Sequence, residues 1–279
     1  MQKIQVITYN LNNNKMAYED LLDYINTLTF DIVLISIQEY FYTINLPKNY
    51  PYVYYNRMYG IHALILSKMQ LDVKFYVYCF GECYLGNKGC IISNINSSLI
   101  FISLHLKDGE NNLALRNKQI NYITHLILKI GGPVILAGDF NYRFTKQIFK
   151  YCKDFDELDA IKRQYGYLEN EICFKFTYKY NENVLNNTRM PSYCDRILYK
   201  NIKLSNVTNY NIINQFINSD HKLVYMSFNE DINNLNIFNV KLTACKSSIV
   251  SCFLYDNLLC ISFTFITLTL ILYIFLWKK

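Results

Sequence analysis

Short apolar segments with the length of β-strands alternate along this chain with segments that have helical periodicity. Residues 31–38 (DIVLISIQ) are almost continuously apolar, which is typical of a buried strand. Leu21, Ile25 and Leu28 recur at the spacing that places side chains on one face of a helix. The strand-like segments are residues 3–11, 31–38, 61–67, 73–80, 91–95, 99–105, 133–138 and 222–228, and the helical segments are residues 17–29 and 111–129. This alternation predicts an α/β domain with a sheet core, which we expect to span residues 1–235.

Polar side chains stand where the predicted strands end or begin. They are Asn10, Asn12, Glu39, His105, Asp139, Asn141, Asp220 and His221. Because the sites of α/β sheets form at strand ends, we expect these separate segments to share one cleft. A buried Glu39 carboxylate is costly without a partner, and a Mg²⁺ ion held by oxygen ligands removes that cost. Asn10 would add a neutral oxygen to the same site.

The composition argues against a zinc site and a nucleic-acid partner. The nine cysteines are scattered without a C-x2-C pair, so zinc ligation is not expected. An odd, scattered set of cysteines indicates reduced thiols in a cytosolic domain. The formal net charge of +6 is modest, whereas a DNA-cleaving enzyme is expected to carry a broad basic groove.

Residues 258–277 form an uncharged apolar run that is followed by Lys278 and Lys279. A helix over this run would be about 30 Å long, which is the thickness of a bilayer core. We therefore expect a transmembrane helix at residues 257–277, joined to the domain by a linker at residues 236–256. The alternative is a long buried helix that ends a soluble domain.

Two signals disagree on the orientation of this expected membrane anchor. The positive-inside rule would place the two final lysines in the cytosol. The thiol-rich domain favours the opposite arrangement, in which the domain is cytosolic, and we follow the larger part of the chain. The sequence thus predicts a single-pass, tail-anchored protein of the endoplasmic reticulum or another endomembrane.

The segment at residues 176–199 (FTYKYNENVLNNTRMPSYCDRILY) gathers more charged and aromatic side chains than its neighbours. Tyr178, Lys179 and Arg189 fall within it, followed by Asp195. Fixed cations bind phosphate oxygens through charged hydrogen bonds, so this segment is suited to a phosphorylated small headgroup.

The motifs TYKY and RMPSYCDRIL within this segment resemble the paired signature of the inositol polyphosphate 5-phosphatase family. Asn181 stands where the family has aspartate, and Tyr193 stands where it has tryptophan. Four further segments match the family in the same order. They are residues 86–89 (GNKG), 103–106 (SLHL), 138–143 (GDFNYR) and 219–222 (SDHK).

The resemblance implies a four-layer α/β sandwich, in which two packed mixed sheets are flanked by helices as in DNase I. It implies a Mg²⁺-dependent phosphatase that removes the 5-phosphate from membrane phosphoinositides, such as phosphatidylinositol 4,5-bisphosphate or 3,4,5-trisphosphate, by in-line attack of an activated water. The implied catalytic residues are Asp139, Asn141, His221, Asp195 and His105. The implied metal ligands are Glu39, Asn10 and Asp220. The implied substrate contacts are Tyr178, Lys179, Arg189, Lys88 and Asn12.

The outer motifs alone do not choose a reaction, because the wider endonuclease/exonuclease/phosphatase superfamily shares them. A nuclease and a sphingomyelinase remain alternatives, as does a non-catalytic membrane protein that binds phosphoinositides. The modest net charge and the expected membrane anchor argue against a nuclease, and a sphingomyelinase has no use for Lys179 and Arg189. The intact set of catalytic residues argues against a non-catalytic protein. We interpret Arg116, Arg143 and His62 as structural residues.

Overall fold

Two mixed β-sheets form the centre of the molecule. The computed structural model describes residues 1–81, 86–145, 152–186 and 189–232. The strands in this part of the chain are β1 (Gln2–Asn10), β2 (Ile32–Gln38), β3 (Tyr52–Met58), β4 (Ile61–Ser67), β5 (Val73–Cys79), β6 (Gly89–Ile95), β7 (Leu99–His105), β8 (Val134–Asp139), β9 (Tyr180–Asn181), β10 (Val184–Leu185), β11 (Asp195–Lys200), β12 (Val207–Ile213) and β13 (Leu223–Glu230). The α-helices are α1 (Lys15–Thr27), α2 (Leu113–Ile130) and α3 (Glu157–Tyr165).

The six-stranded sheet has the order β12-β13-β1-β2-β4-β3, and the five-stranded sheet has the order β11-β8-β7-β6-β5. Strands β1 and β2 run parallel, as do β7 and β8, and the other pairings in these sheets are antiparallel. Strands β9 and β10 form a separate hairpin.

Three apolar clusters define the layers. Leu34 and Phe101 belong to the cluster between the two sheets. Leu21 of α1 packs with the outer face of the six-stranded sheet, and Ile123 of α2 packs with the outer face of the five-stranded sheet together with Leu158 of α3. The expected sandwich of two mixed sheets flanked by helices is confirmed.

Helix ends follow local sequence signals. Asn14 caps α1, because its side-chain oxygen accepts a hydrogen bond of 2.9 Å from the amide of Met16. Asp156 caps α3 in the same way through the amide of Leu158. Helix α3 ends at Gly166, whose φ of 68° is the left-handed conformation that glycine adopts without strain.

Most predicted elements are observed, and β4 and β7 begin and end where the sequence predicts them. Strands β3 and β12, helix α3 and strand β11 are missing from the prediction. Strands β3 and β12 are the edges of the six-stranded sheet and keep many side chains partly exposed, so they lack a continuous apolar pattern. Helix α3 has only 9 residues, too few for a clear period.

Among the described residues, no helix has the length and apolarity that crossing a bilayer requires. The predicted linker at 236–256 and the predicted membrane helix at 257–277 lie outside the described residues.

Strand pairing determines which polar side chains meet. Because β7 and β8 are parallel and in register, His105 lies beside Asp139. Strand β11 pairs antiparallel on the other side of β8 and places Asp195 opposite the same aspartate. In the six-stranded sheet, Asn10 pairs with Gln38, the residue before Glu39. The ends of strands from both sheets therefore converge on one region.

Candidate active site

Asp139 lies at the centre of the convergent side chains. One of its oxygens, Oδ2, accepts a hydrogen bond of 3.0 Å from the side-chain amide of Asn10, which joins the two sheets. The other oxygen accepts 2.9 Å from the backbone amide of Asn141. Burial raises the pKa of this carboxyl, but its contact with His105 and the positive charges of His221 and Lys88 outweigh burial and lower it. Asp139 is therefore an ionised acceptor at neutral pH.

His221 and Asp195 form a buried ion pair. The ring nitrogen Nδ1 of His221 lies 2.8 Å from Asp195 Oδ2. Burial lowers the pKa of His221, but the charge and hydrogen bond of Asp195, with the charges of Asp139 and Asp220, raise it to about 9. Burial and the nearby Asp139 also raise the pKa of Asp195. Asp195 therefore holds the His221 ring in one orientation.

We expect this pair to give a defined pH response. The folded pKa of His221, about 9, exceeds its ordinary value of 6.5. The contribution of this group to stability is therefore complete below the unfolded pKa and is lost as the pH rises through about 9. In an NMR titration of histidine-labelled protein, the His221 signal should therefore move at alkaline pH. Asp195→Asn should shift that midpoint to lower pH.

His62 provides an internal control for this titration, because burial lowers its pKa to about 4. The His62 midpoint should be the same in the wild-type protein and in Asp195→Asn. A His221 midpoint that stays unchanged in the variant contradicts the assigned cause of its raised pKa.

His105 contacts an ammonium group in this structure. Lys88 Nζ lies 2.5 Å from His105 Nε2. Burial and the charge of Lys88 lower the pKa of His105. The same ring nitrogen lies 3.4 Å from Asp139 and 3.7 Å from Glu39 Oε1. Both predicted residues thus lie at the site, and their predicted contacts with phosphate stay predictions.

The side chain of Asn141 is fixed at both ends. Its Nδ2 donates to the backbone oxygen of Leu106 at 3.1 Å, and its Oδ1 accepts from Arg143 at 3.1 Å. Its φ of 56° turns the backbone directly after β8, which lets its own amide reach Asp139. One N–H of the side-chain amide is left over to contact a water or a phosphate oxygen.

Arg143 does more than hold its loop. Its guanidinium donates to Asn141, lies 3.0 Å from the sulfur of Cys194, and packs 4.6 Å over the ring of Tyr178. The backbone amide of Arg143 donates to Glu157, which Arg116 also contacts at 3.1 Å. The structural interpretation of Arg116 is consistent with these contacts. No sequence pattern predicts the contacts of Arg143 with the side chains of the site.

Tyr178 contacts both His221 and Arg189. With Lys179 and Arg189 it forms the predicted substrate contacts of the segment at 176–199, which we call the clamp. Its ring is buried and stacks on His221 at a centroid distance of 4.6 Å. Its hydroxyl accepts a hydrogen bond of 3.3 Å from exposed Arg189. A substitution at Tyr178 is therefore expected to disturb His221 as well as the substrate.

Lys179 and Asp220 form a partly exposed ion pair. Lys179 Nζ lies 3.6 Å from Asp220 Oδ2, and Asp220 Oδ1 lies 4.0 Å from His221 Nε2. These contacts place Asp220 beside the clamp, and its role as a metal ligand stays a prediction. Asn12 lines the same cavity as Lys179.

Glu39, Asn10 and Asp139 supply the oxygen donors of a possible metal site. Glu39 follows β2 with a φ of 53°, and its carboxylate is 40% exposed beside His105. Oxygen donors without a thiolate suit a hard divalent cation such as Mg²⁺ or Ca²⁺. Ligand atoms of Asp139, Asp195 and His221 also lie within 4.8 Å of one another. A protonated His221 ring has no free lone pair with which to bind a metal ion.

Residues 43–227 match the family model described as Endonuclease/Exonuclease/phosphatase family 2. The chain belongs to this family. Within it, the chain is 27% identical over 275 residues to the Arabidopsis thaliana protein named Type IV inositol polyphosphate 5-phosphatase 11, covering 79% of this chain and 80% of that protein. It is also 27% identical over 190 residues to the Homo sapiens phosphatidylinositol 3,4,5-trisphosphate 5-phosphatase 2, covering 52% of this chain but only 15% of that protein.

Solved structures with a similar fold include a 5-phosphatase domain and a nitrophorin. The inositol polyphosphate 5-phosphatase domain of SPsynaptojanin, crystallised with inositol (1,4)-bisphosphate and calcium, has a TM-score of 0.65 at 22% identity, covering 81% of this chain and 83% of that chain. The Cimex nitrophorin ferrous NO complex has a TM-score of 0.57 at 16% identity, covering 81% and 97%. These likenesses show the fold alone, so the choice of reaction depends on the side chains of the site.

Proposed function

We propose that this member of the Endonuclease/Exonuclease/phosphatase family 2 is a Mg²⁺-dependent phosphatase that removes the 5-phosphate from phosphoinositide headgroups. The observation that supports this function best is that the backbone on either side of Lys179 is hydrogen-bonded to the backbone on either side of His221. The amide of Tyr180 donates to Asp220 at 2.9 Å, and the amide of Lys222 donates to Thr177 at 2.8 Å. Lys179, which lies between these bonds, is thereby held at a fixed distance from the catalytic groups.

The reaction proposed for this site is in-line attack of water on phosphorus. Asp139 accepts a hydrogen bond and then a proton from the water, while the remaining N–H of Asn141 positions it. The imidazolium of His221 donates a hydrogen bond to a phosphoryl oxygen as negative charge develops there. The bond from phosphorus to the 5-oxygen of the inositol ring breaks, this oxygen takes up a proton from solvent to become a hydroxyl, and inorganic phosphate leaves. Asp139 then returns its proton to solvent.

Glu39 and Asn10, beside Asp139, would hold the metal. When bound, Mg²⁺ would neutralise part of the phosphate charge in the transition state. Tyr178, Lys179 and Arg189 would bind the adjacent 4-phosphate. In this proposal, the groups at the strand ends carry out catalysis, and the segment at 176–199 selects the substrate.

The same proposal includes a membrane location. The uncharged run at 258–277 supports a tail anchor, with the domain at 1–235 in the cytosol and a linker between them, on the endoplasmic reticulum or another endomembrane. An anchored phosphatase meets lipid headgroups at high local concentration and needs no nucleic-acid partner. Carbonate-resistant membrane association that is unchanged after deletion of residues 257–279 would contradict the anchor.

The test is phosphate release by the full chain from phosphatidylcholine vesicles that contain phosphatidylinositol 4,5-bisphosphate. We expect release with Mg²⁺ and none with EDTA. A DNA duplex with an abasic site is the comparison substrate, and it should stay intact. Cleavage of DNA without phosphate release would indicate the nuclease alternative, and vesicle binding without release would indicate a non-catalytic protein.

A further inference from the structure

A polar cavity of about 420 Å³ opens beside Lys179. The wall formed by Ser219 and Asp220 is adjacent in the chain to His221. The lining also includes the hairpin β9–β10, with Asn181 and Glu182 exposed. Asp220 lies 4.0 Å from His221 Nε2 and 3.6 Å from Lys179 Nζ, so the cavity is lined by the residue beside His221, by Lys179 and by the hairpin.

The side chains that line this cavity carry less positive charge than a site that binds several phosphate groups would need. Among the described residues that line it, Lys179 is the sole cation, whereas Glu182 and Asp220 are both carboxylates. The asparagines in the lining are Asn12, Asn14, Asn181, Asn186 and Asn218. The formal charge of the described lining is thus one negative unit, and its remaining polar side chains are mainly neutral amides.

The internal contacts of the hairpin hold this wall in place. The amide of Asn186 donates to the backbone oxygen of Lys179 at 2.8 Å. Lys222 is buried, and its ammonium donates to the side chain of Asn183 and, at 2.7 Å, to the backbone oxygen of Phe216. The hairpin is thereby tied to the strand that follows His221, so its position relative to the catalytic groups is defined.

The order of substituents on an inositol ring indicates which substituent the hairpin β9–β10 would contact. This step rests on the function proposed above. With the 5-phosphate at His221 and the 4-phosphate at Lys179, the next ring position, C3, faces the hairpin. Amide groups of asparagine donate to and accept from a hydroxyl. A phosphate at C3 would instead meet Glu182 without a cation among the described lining residues, and like charges brought together oppose binding.

We propose that the hairpin wall selects headgroups that carry a free 3-hydroxyl, so that the substrates are 4,5-bisphosphorylated and 3-phosphorylated headgroups are rejected. The recognised chemistry is shared by the lipid phosphatidylinositol 4,5-bisphosphate and by free inositol 1,4,5-trisphosphate. Rejection would apply equally to the lipid and the free headgroup that carry an additional 3-phosphate.

The test measures kcat/KM of the full chain on matched pairs of substrates. One pair is phosphatidylinositol 4,5-bisphosphate and 3,4,5-trisphosphate in phosphatidylcholine vesicles, and the other is free inositol 1,4,5-trisphosphate and 1,3,4,5-tetrakisphosphate. We expect a preference of about tenfold or more for the member without the 3-phosphate in each pair. A preference seen only with the lipids would assign the selection to the membrane and overturn the role of the wall.

Glu182→Lys is the informative variant, because it reverses one charge on the exposed turn of the hairpin. It should reduce the preference about three- to tenfold by raising turnover of the 3-phosphorylated member. Glu171→Lys, the same charge change at an exposed residue of a separate cavity, is the matched control and should leave the preference unchanged.

Each other outcome is also decisive. Equal or faster turnover of the 3-phosphorylated members by the wild-type protein overturns this inference and leaves the 5-phosphatase activity standing. A wild-type preference that Glu182→Lys does not change removes the hairpin as its cause. No release from any of the four substrates contradicts the proposed function itself, and the inference with it.

Discussion

Replacing Asp139 with alanine is expected to reduce kcat for phosphate release about 10²–10⁴-fold, which is the usual contribution of a positioned general base. The carboxylate is ionised and accepts hydrogen bonds from Asn10 and the backbone of Asn141. Its removal takes away the proton acceptor and leaves both donors unpaired in a buried site. KM should change much less, because the proposed contacts of Lys179 and Tyr178 are with a different phosphate.

The Asp139→Ala measurement needs a control for charge and folding. Asp72→Ala removes a carboxylate that is 63% exposed in its ion pair with Lys74, and it should keep wild-type kcat. Thermal unfolding of both variants separates loss of the base from loss of the fold. A kcat within tenfold of wild type in well-folded Asp139→Ala would exclude Asp139 as the base.

Replacing Lys179 with methionine is expected to reduce kcat/KM on phosphatidylinositol 4,5-bisphosphate about ten- to a hundredfold. A charged hydrogen bond to phosphate contributes roughly 1.5–3 kcal/mol, and each 1.4 kcal/mol is about a factor of ten. Phosphatidylinositol 5-phosphate lacks the 4-phosphate, so its turnover should change little. The ratio of kcat/KM on the two substrates therefore measures how much the 4-phosphate contributes to binding through Lys179.

Lys175→Met is the matched control for this variant, because Lys175 is an exposed lysine in the same segment. It should leave both rates unchanged. Equal loss on both substrates in Lys179→Met would assign Lys179 to general binding or to holding Asp220, at 3.6 Å, rather than to the 4-phosphate. Equal wild-type rates on both substrates would contradict the clamp altogether.

The positions of the main site residues could be predicted because each follows a buried strand. Asn10, Glu39, His105 and Asp139 are polar residues directly at the ends of apolar segments, and a polar side chain there must face a partner or a cleft. The core strands were predictable for the same reason, since burial on both faces leaves a continuous apolar pattern. The edge strands β3 and β12 lack that pattern and were not found.

Contacts between residues distant in sequence were beyond such prediction. The side-chain bond between Asn10 and Asp139 spans 129 positions and crosses from one sheet to the other. The packing of Arg143 on Tyr178, and of Tyr178 on His221, depends on how three loops fold together. No local pattern encodes these distances, because they follow from strand register and sheet packing.

By itself, the sequence determined the α/β class, most of the core strands and the chemical groups that the strand ends deliver. It did so because strand periodicity and the cost of burying polar groups are local properties. Only the tertiary structure decided that Asp195 pairs with His221, that Lys88 contacts His105, and that the clamp is hydrogen-bonded to the catalytic strand. Those contacts arise from the register of β8 with β7 and β11 and from the packing of the two sheets, which the chain adopts only as a whole.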